Sequence, residues 1–205
     1  MKIGVLGGTF DPIHIGHLIV AEEARIKLGL SEVIFLPAGN PRLKKNIVIA
    51  SQQHRLEMIK LAIKSNPHFK ISTVEIERTG PSYSAHSLPL LKKELGDSAD
   101  IYFLIGMDAL AELYKWKDPE RLLEVCRVVG MTRPGYRDLD WSPIGKVISD
   151  ASKQIMVLEV PEIGVSSTDI RRRISQGETI RYLVPENVEK YIRQRALYSK
   201  QTAVR

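Results

Sequence analysis

The chain has 205 residues, 43% of them apolar and 26% charged, ordinary proportions for a globular protein with one α/β domain and a sizeable core. Its single cysteine, Cys126, excludes an intrachain disulfide, no apolar stretch approaches the roughly 20 residues of a membrane helix, and the short apolar run near the N-terminus does not make a secretory signal, so a cytoplasmic protein with no membrane partner is expected. The net charge of +6 invites a nucleic-acid partner, but the basic residues cluster only at Lys44-Lys45, Arg171-Arg172-Arg173 and the C-terminal tail, and no run interleaves them with aromatic residues, so no nucleic acid is expected.

Apolar runs predict strands at about 2–6, 32–37, 69–77, 101–105, 126–131 and 155–160. Several are continuous rather than alternating, as in Val33-Ile34-Phe35-Leu36, which suits parallel strands covered on both faces. Helical patterns lie between them. Residues 18–28 close with Gly29, 51–65 open with Ser51 and bury Leu56, Ile59, Leu61 and Ile63, and 84–95 are followed by Gly96. Further helices are predicted at 169–175 and 184–197. This alternation predicts a Rossmann-like, doubly wound parallel sheet with its ligand crevice at the carboxyl ends of the strands. Residues 1–165 form the nucleotide-binding domain in this reading, and 166–205 a small helical subdomain packed on it.

The first chemistry lies in Gly7-Gly8-Thr9-Phe10-Asp11-Pro12-Ile13-His14-Ile15-Gly16-His17. A strand, a glycine turn and a helix aim backbone N–H groups and a helix N-terminus at one spot and favour an anion there. His14 and His17 are three apart and share a face if the helix has begun by then. A Walker loop is excluded because the only lysine nearby is Lys2, and the spacing of Gly4, Gly7 and Gly8 excludes the dinucleotide fingerprint. Zinc is disfavoured, since no second cysteine or nearby carboxylate completes a coordination shell, and no metal ligands are assigned. What remains is a polyphosphate site.

Gly106 and Asp108 follow the apolar run 101–105. An acid at that place commonly binds ribose hydroxyls, and capping the next helix is the alternative. Trp116 is either a flat partner for a cationic ring or a core residue. Ser166-Ser167-Thr168 precedes a helical pattern carrying Arg171, which makes either a donor-rich phosphate site or an ordinary helix cap.

The N-terminal motif resembles the signature of the nucleotidylyltransferase superfamily with its His-x-Gly-His. Val165-Ser166-Ser167-Thr168-Asp169-Ile170-Arg171 resembles that superfamily's Ile-Ser-Ser-Thr-x-Ile-Arg phosphate clamp, with valine first. Paired, the two favour the phosphate reading. Phe103 to Trp116, Pro81 to Leu88, Thr132 to Tyr136 and Leu183 to Tyr198 are similar to segments of the bacterial nicotinate-nucleotide adenylyltransferases, so the resemblance covers nearly the whole chain.

That resemblance implies transfer of the adenylyl group of ATP to nicotinate mononucleotide, with Mg²⁺ bound through the ATP phosphates. His14, His17, Thr168 and Arg171 would be catalytic. ATP would meet Gly7, Gly8, Thr9, Phe10, His17, Gly106, Asp108, Ser166, Ser167, Thr168 and Arg171. The mononucleotide would meet Lys44, Ser84, Ala85, Trp116, Lys117 and Arg133. The chain departs from the family at Asn40-Pro41-Arg42-Leu43-Lys44, where Leu43 replaces a histidine. Arg42 either takes over the phosphate contact or is a solvated surface residue. The alternative acceptors are nicotinamide mononucleotide and another phosphorylated compound such as phosphopantetheine, and a nucleotide-binding regulator without the chemistry is the rival outside enzymes. A homo-oligomer is left open.

Overall fold

The computed structural model describes residues 1–40, 50–78, 80, 82–132, 139–161 and 163–199. In chain order the elements are β1 Lys2–Gly8, α1 Ile15–Leu28, β2 Glu32–Pro37, α2 Gln52–Ile63, β3 Phe69–Ile71, α3 Ser84–Leu95 and β4 Asp100–Gly106. There follow α4 Met107–Ala111, α5 Glu120–Val125, β5 Arg127–Met131, α6 Ser142–Gly145, α7 Ala151–Gln154, β6 Met156–Leu158, α8 Ser167–Ser175 and α9 Glu186–Gln194. The strands pair in parallel throughout, in the order β3-β2-β1-β4-β5-β6, which is the doubly wound arrangement expected from the sequence.

Side-chain alternation along these strands explains why the apolar runs are continuous. Val33 and Phe35 of β2 join Leu6, Tyr102 and Leu104 on one face of the sheet, under α1, α2, α8 and α9. Ile34 and Leu36 join Ile3, Val5, Ile101, Phe103 and Ile105 on the other, under α3, α4 and α5. Ile170 of α8 and Val188 and Ile192 of α9 lie in the first of these clusters, together with Phe35 and Met58. Gly29 ends α1 in the left-handed conformation, φ +62°, with its N–H donating back to Ile26.

Several boundaries differ from the sequence-based expectation. The strand expected over 69–77 stops at Ile71. Glu77 N–H bonds to the Thr73 carbonyl at 3.0 Å and the Thr73 hydroxyl to the Glu77 carboxylate at 2.6 Å, so the apolar Val74 and Ile76 belong to a turn rather than to the sheet. β6 is three residues rather than six. α1 starts at Ile15 instead of 18 and α8 at Ser167 instead of 169, because their caps are His14 and Ser166. α9 runs over Glu186–Gln194 rather than 184–197. The short helices α4 to α7 are absent from the pattern reading, being under two turns each. Among the described residues no helix is long and apolar enough to cross a membrane.

Cys126 closes α5 beneath the sheet, its thiol donating to the Leu122 carbonyl at 3.0 Å. Burial pushes the thiol up to about 12 from 9.0. A folded pKa above the unfolded one stabilises fully below pH 9 and is lost as pH rises from 9 towards 12, at no more than about 1.4 kcal/mol per pH unit. Urea unfolding of the wild type should therefore lose stability faster above pH 9 than that of Cys126→Ala. Parallel pH profiles for the two proteins would contradict this account of the thiol.

Candidate active site

β1 and β4 are neighbours in the sheet, and the helices that follow them pack on opposite faces. The crevice at this switch point is a cleft of about 680 Å³. Three segments far apart in the chain line it: Gly7, His14 and His17 after β1, Gly106 and Asp108 after β4, and Ser166, Ser167 and Thr168 at the start of α8. The fold thus brings together eight residues singled out in the sequence. Gly16, Thr132 and the stretch Ile163-Gly164-Val165 line the cleft as well. Gly16 is announced by its place between the two histidines. Ile163 and Gly164 carry no side-chain chemistry, and nothing in the sequence marks them.

His14 is the N-cap of α1, with extended backbone (φ −144°), and its N–H donates to Nδ1 of His17 at 3.2 Å. A backbone N–H can only donate, so Nδ1 accepts and neutral His17 carries its proton on Nε2, where it is a donor. The two rings stack with centroids 3.7 Å apart and planes 22° off parallel. Gly16 makes room for this, because a Cβ there would stand 3.1 Å from the His14 ring. Phe10 supports His17 from behind, edge-on at 5.0 Å.

The Phe10 side chain belongs to the core. It is 2% exposed, packs on Phe35 at 5.6 Å and does not line the cleft. Its backbone turns through φ +50°, which sends the ring inward. The same ring presses on Gly8, 3.0 Å from a would-be Cβ there. Thr9 likewise stays outside the lining, and its carbonyl accepts from Arg55 at 2.8 Å.

At α8 the hydroxyl triplet is in part an ordinary helix cap. Ser166 caps the helix, its Oγ accepting from the N–H of Asp169 at 3.1 Å. The Ser167 hydroxyl donates to the Pro12 carbonyl at 2.9 Å and so fastens α8 to the β1–α1 turn. The first intrahelical bond is Ile170 N–H to Ser166 O, which leaves the N–H groups of Ser167 and Thr168 as donors for an anion. Arg171 stands behind this turn and outside the lining. Its Nη1 donates to the Asp11 carbonyl at 2.5 Å and Nη2 reaches Thr168 Oγ1 at 3.4 Å.

Asp108 lies in the first turn of α4, its Oδ1 only 2.6 Å from where a Cβ on Gly106 would stand, so a side chain there would shift the carboxylate. Of the described residues expected on the acceptor side, Ser84, Ala85, Trp116 and Lys117 do not line this cleft. Ser84 and Ala85 open α3, ahead of the first bond from His86 N–H to Tyr83 O, so their amides are not part of the helical ladder. Trp116 is half-buried, edge-on to Phe103 at 6.4 Å, and the Phe103 ring in turn abuts Gly7. Lys117 is exposed. Arg42, Lys44 and Arg133 lie outside the described residues.

Residues 5–173 match the family model of cytidylyltransferase-like proteins. A "probable nicotinate-nucleotide adenylyltransferase" of Moorella thermoacetica is 42% identical over 199 residues, 96% of this chain and 91% of that protein. Another of the same name, from Thermomicrobium roseum, is 45% identical over 197 residues, with coverage of 96% and 91%. The chain belongs to the nicotinate-nucleotide adenylyltransferase family. Its fold matches that of a Plasmodium falciparum nicotinic acid mononucleotide adenylyltransferase complexed with NaAD, with a TM-score of 0.77 at 19% identity, over 96% of this chain and 97% of that one.

In this family member the cleft rests on a buried charge that the sequence did not single out. Asp11, 1% exposed, accepts from the Tyr198 hydroxyl at 2.6 Å and the Ala50 N–H at 3.0 Å, and its second oxygen is 3.6 Å from Arg171 Nη1. Burial and the Asp11 charge push the Tyr198 hydroxyl far up, so it remains a donor. The residues 187 positions apart have no local signature that could pair them. Tyr198→Phe leaves the ring and removes one hydrogen bond to a buried carboxylate, a loss of about 1.5–3 kcal/mol. Urea unfolding should show a destabilisation of that size, and one under about 0.5 kcal/mol would mean that Asp11 is held by its other partners alone.

Proposed function

We propose that the cleft holds ATP, its phosphates between the His14–His17 turn and the start of α8 and its ribose at Asp108, while the acceptor enters from the side of α3 and Trp116. The enzyme transfers the adenylyl group of ATP to nicotinate mononucleotide, giving deamido-NAD and pyrophosphate. One observation carries the reading of the site: two helix N-termini, one with paired imidazoles and one with free amides, come from residues about 150 apart and line a single cleft. The P. falciparum neighbour, complexed with NaAD in the same fold, supports the same class of ligand.

The acceptor's phosphate is already anionic at neutral pH and attacks the α-phosphorus in line, so no protein nucleophile is required. His17 Nε2–H donates to an α-phosphate oxygen as charge builds there, and His14 to the neighbouring phosphate. The Ser167 and Thr168 amides hold the leaving pyrophosphate, and Arg171 adds its charge from behind. Mg²⁺ keeps much of its own water and takes few protein ligands. The lining offers one carboxylate, Asp108, and among the described residues no group of three His, Cys, Asp or Glu could hold a metal, a donor set that suits a cation carried on the phosphates. Bound that way it offsets the phosphate charge. On the acceptor side the Ser84 and Ala85 amides take the pyridine carboxylate and Trp116 stacks on the ring, with Lys44, Lys117, Arg133 and Arg42 as cations for the mononucleotide. A cytoplasmic setting belongs to the same proposal.

Pyrophosphate release on mixing the protein with ATP, Mg²⁺ and each candidate acceptor tests the reading, and release should be fastest with nicotinate mononucleotide. Removing one preorganised donor from a developing oxyanion costs about 10²–10³ in rate, so folded His17→Ala should fall in kcat by that factor. A variant with near-normal turnover would remove His17 from the chemistry. Nicotinate mononucleotide should also exceed its amide analogue in kcat/KM by about 10-fold or more, since the amide sets its NH₂ against the α3 amides and leaves donors unpaired. Equal efficiency would point to an enzyme with two acceptors.

A further inference from the structure

Arg55, in the first turn of α2, is 2% exposed and heads the fully buried large side chains. A guanidinium so deep is usually paired with a carboxylate. Among the described residues no carboxylate pairs with it, and all three nitrogens donate to backbone carbonyls: Nη1 to Thr9 at 2.8 Å, Nη2 to Gly39 at 3.3 Å and Nε to Ala50 at 3.3 Å. Thr9 belongs to the turn that leads to His14, and Gly39 to the loop that leaves β2. Asp11 holds the N–H of Ala50 whose carbonyl Arg55 holds, so the two buried charges grip one residue from both sides.

The second loop continues towards the acceptor side. Gly39 is pressed against the Glu75 carbonyl, 2.3 Å from any added Cβ, and its own carbonyl also accepts from Gln52 Nε2 at 2.9 Å. Asn40 and Ser82 bond reciprocally, Asn40 N–H to Ser82 Oγ at 3.0 Å and Ser82 N–H to the Asn40 carbonyl at 3.2 Å. Ser82 lies two residues before Ser84, the start of α3. A continuous chain of bonds thus runs from the phosphate turn through Arg55 to the helix that would face the acceptor.

We infer that Arg55 is a positioning residue that sets the ATP side and the acceptor side of the cleft at the separation in-line transfer needs. The inference rests on the functional reading above. Reacting atoms must be brought to about 3–3.5 Å, so an error in that separation lowers the rate of the bound complex while each half-site still binds its own substrate. Lysine keeps the charge but has one nitrogen and cannot span three carbonyls.

The test is Arg55→Lys in the full chain, with kcat from pyrophosphate release at 25 °C and dissociation constants for ATP and for nicotinate mononucleotide each measured alone by calorimetry. kcat should fall about 10- to 100-fold with both dissociation constants within about threefold of wild type. A folded variant with kcat within twofold of wild type, or with normal kcat and weakened binding, overturns the inference and leaves Arg55 as a core residue. Should Arg55→Lys not fold, Gln52→Ala removes the other donor on the Gly39 carbonyl from an exposed position. An about three- to tenfold loss in its kcat with unchanged binding then supports the inference, and unchanged kcat overturns it. Wild-type protein that releases no pyrophosphate with nicotinate mononucleotide counts against the functional reading instead.

Discussion

The geometry of the site depends on how one buried carboxylate holds the turn between β1 and α1. Taking Asp11 out of water costs several kcal/mol, and its partners offset part of that cost, with two hydrogen bonds to Oδ1 and the Arg171 charge 3.6 Å from Oδ2. It finds them on α2's approach, on α8 and at the C-terminal end of the chain, through Ala50, Arg171 and Tyr198. The same contacts fasten three remote segments to the β1–α1 turn. A weaker hold there would loosen the histidine pair and the start of α8 together, since the Ser167 hydroxyl is bonded to Pro12, next to Asp11.

Rigidity at this turn also explains the glycines. Gly16 leaves space for the His14 ring and Gly106 for the Asp108 carboxylate, while Gly8 yields to Phe10. A side chain at any of these positions would displace a group that lines or supports the cleft. The site is therefore built by close packing around polar groups, with few charges free to move. Arg171 and Arg55 illustrate this, as both spend donors on backbone carbonyls.

Near the start of α3, buried polar groups again hold loops rather than face solvent. Glu75, 7% exposed, has its carboxyl pushed up by burial against the pull of Ser82 and Ser87, and it sits beside the loop that Gly39 and Asn40 form. This ties the turn after β3 to the start of α3. Phe103 touches Gly7, which lines the cleft, on one side and Trp116 on the other.

The sequence by itself determined the strand alternation, the helix caps at Ser51 and Gly29, the histidine pair and the hydroxyl triplet. Each is a local pattern, legible because period 2, period 3.6 and cap chemistry act within a few residues. It misjudged 69–77, where local apolar character favours a strand but a turn bond between Thr73 and Glu77 prevails, and it gave no sign that the backbone turns the Phe10 ring into the core. The tertiary structure alone decided that Asp11 meets Tyr198, that Arg55 spans Thr9, Gly39 and Ala50, and that Ile163 and Gly164 reach the cleft. Those contacts join residues tens to nearly two hundred positions apart, or use backbone groups that every residue possesses. No spacing or composition along the chain can encode which of them will meet, and only the folded sheet with its packed helices brings them together.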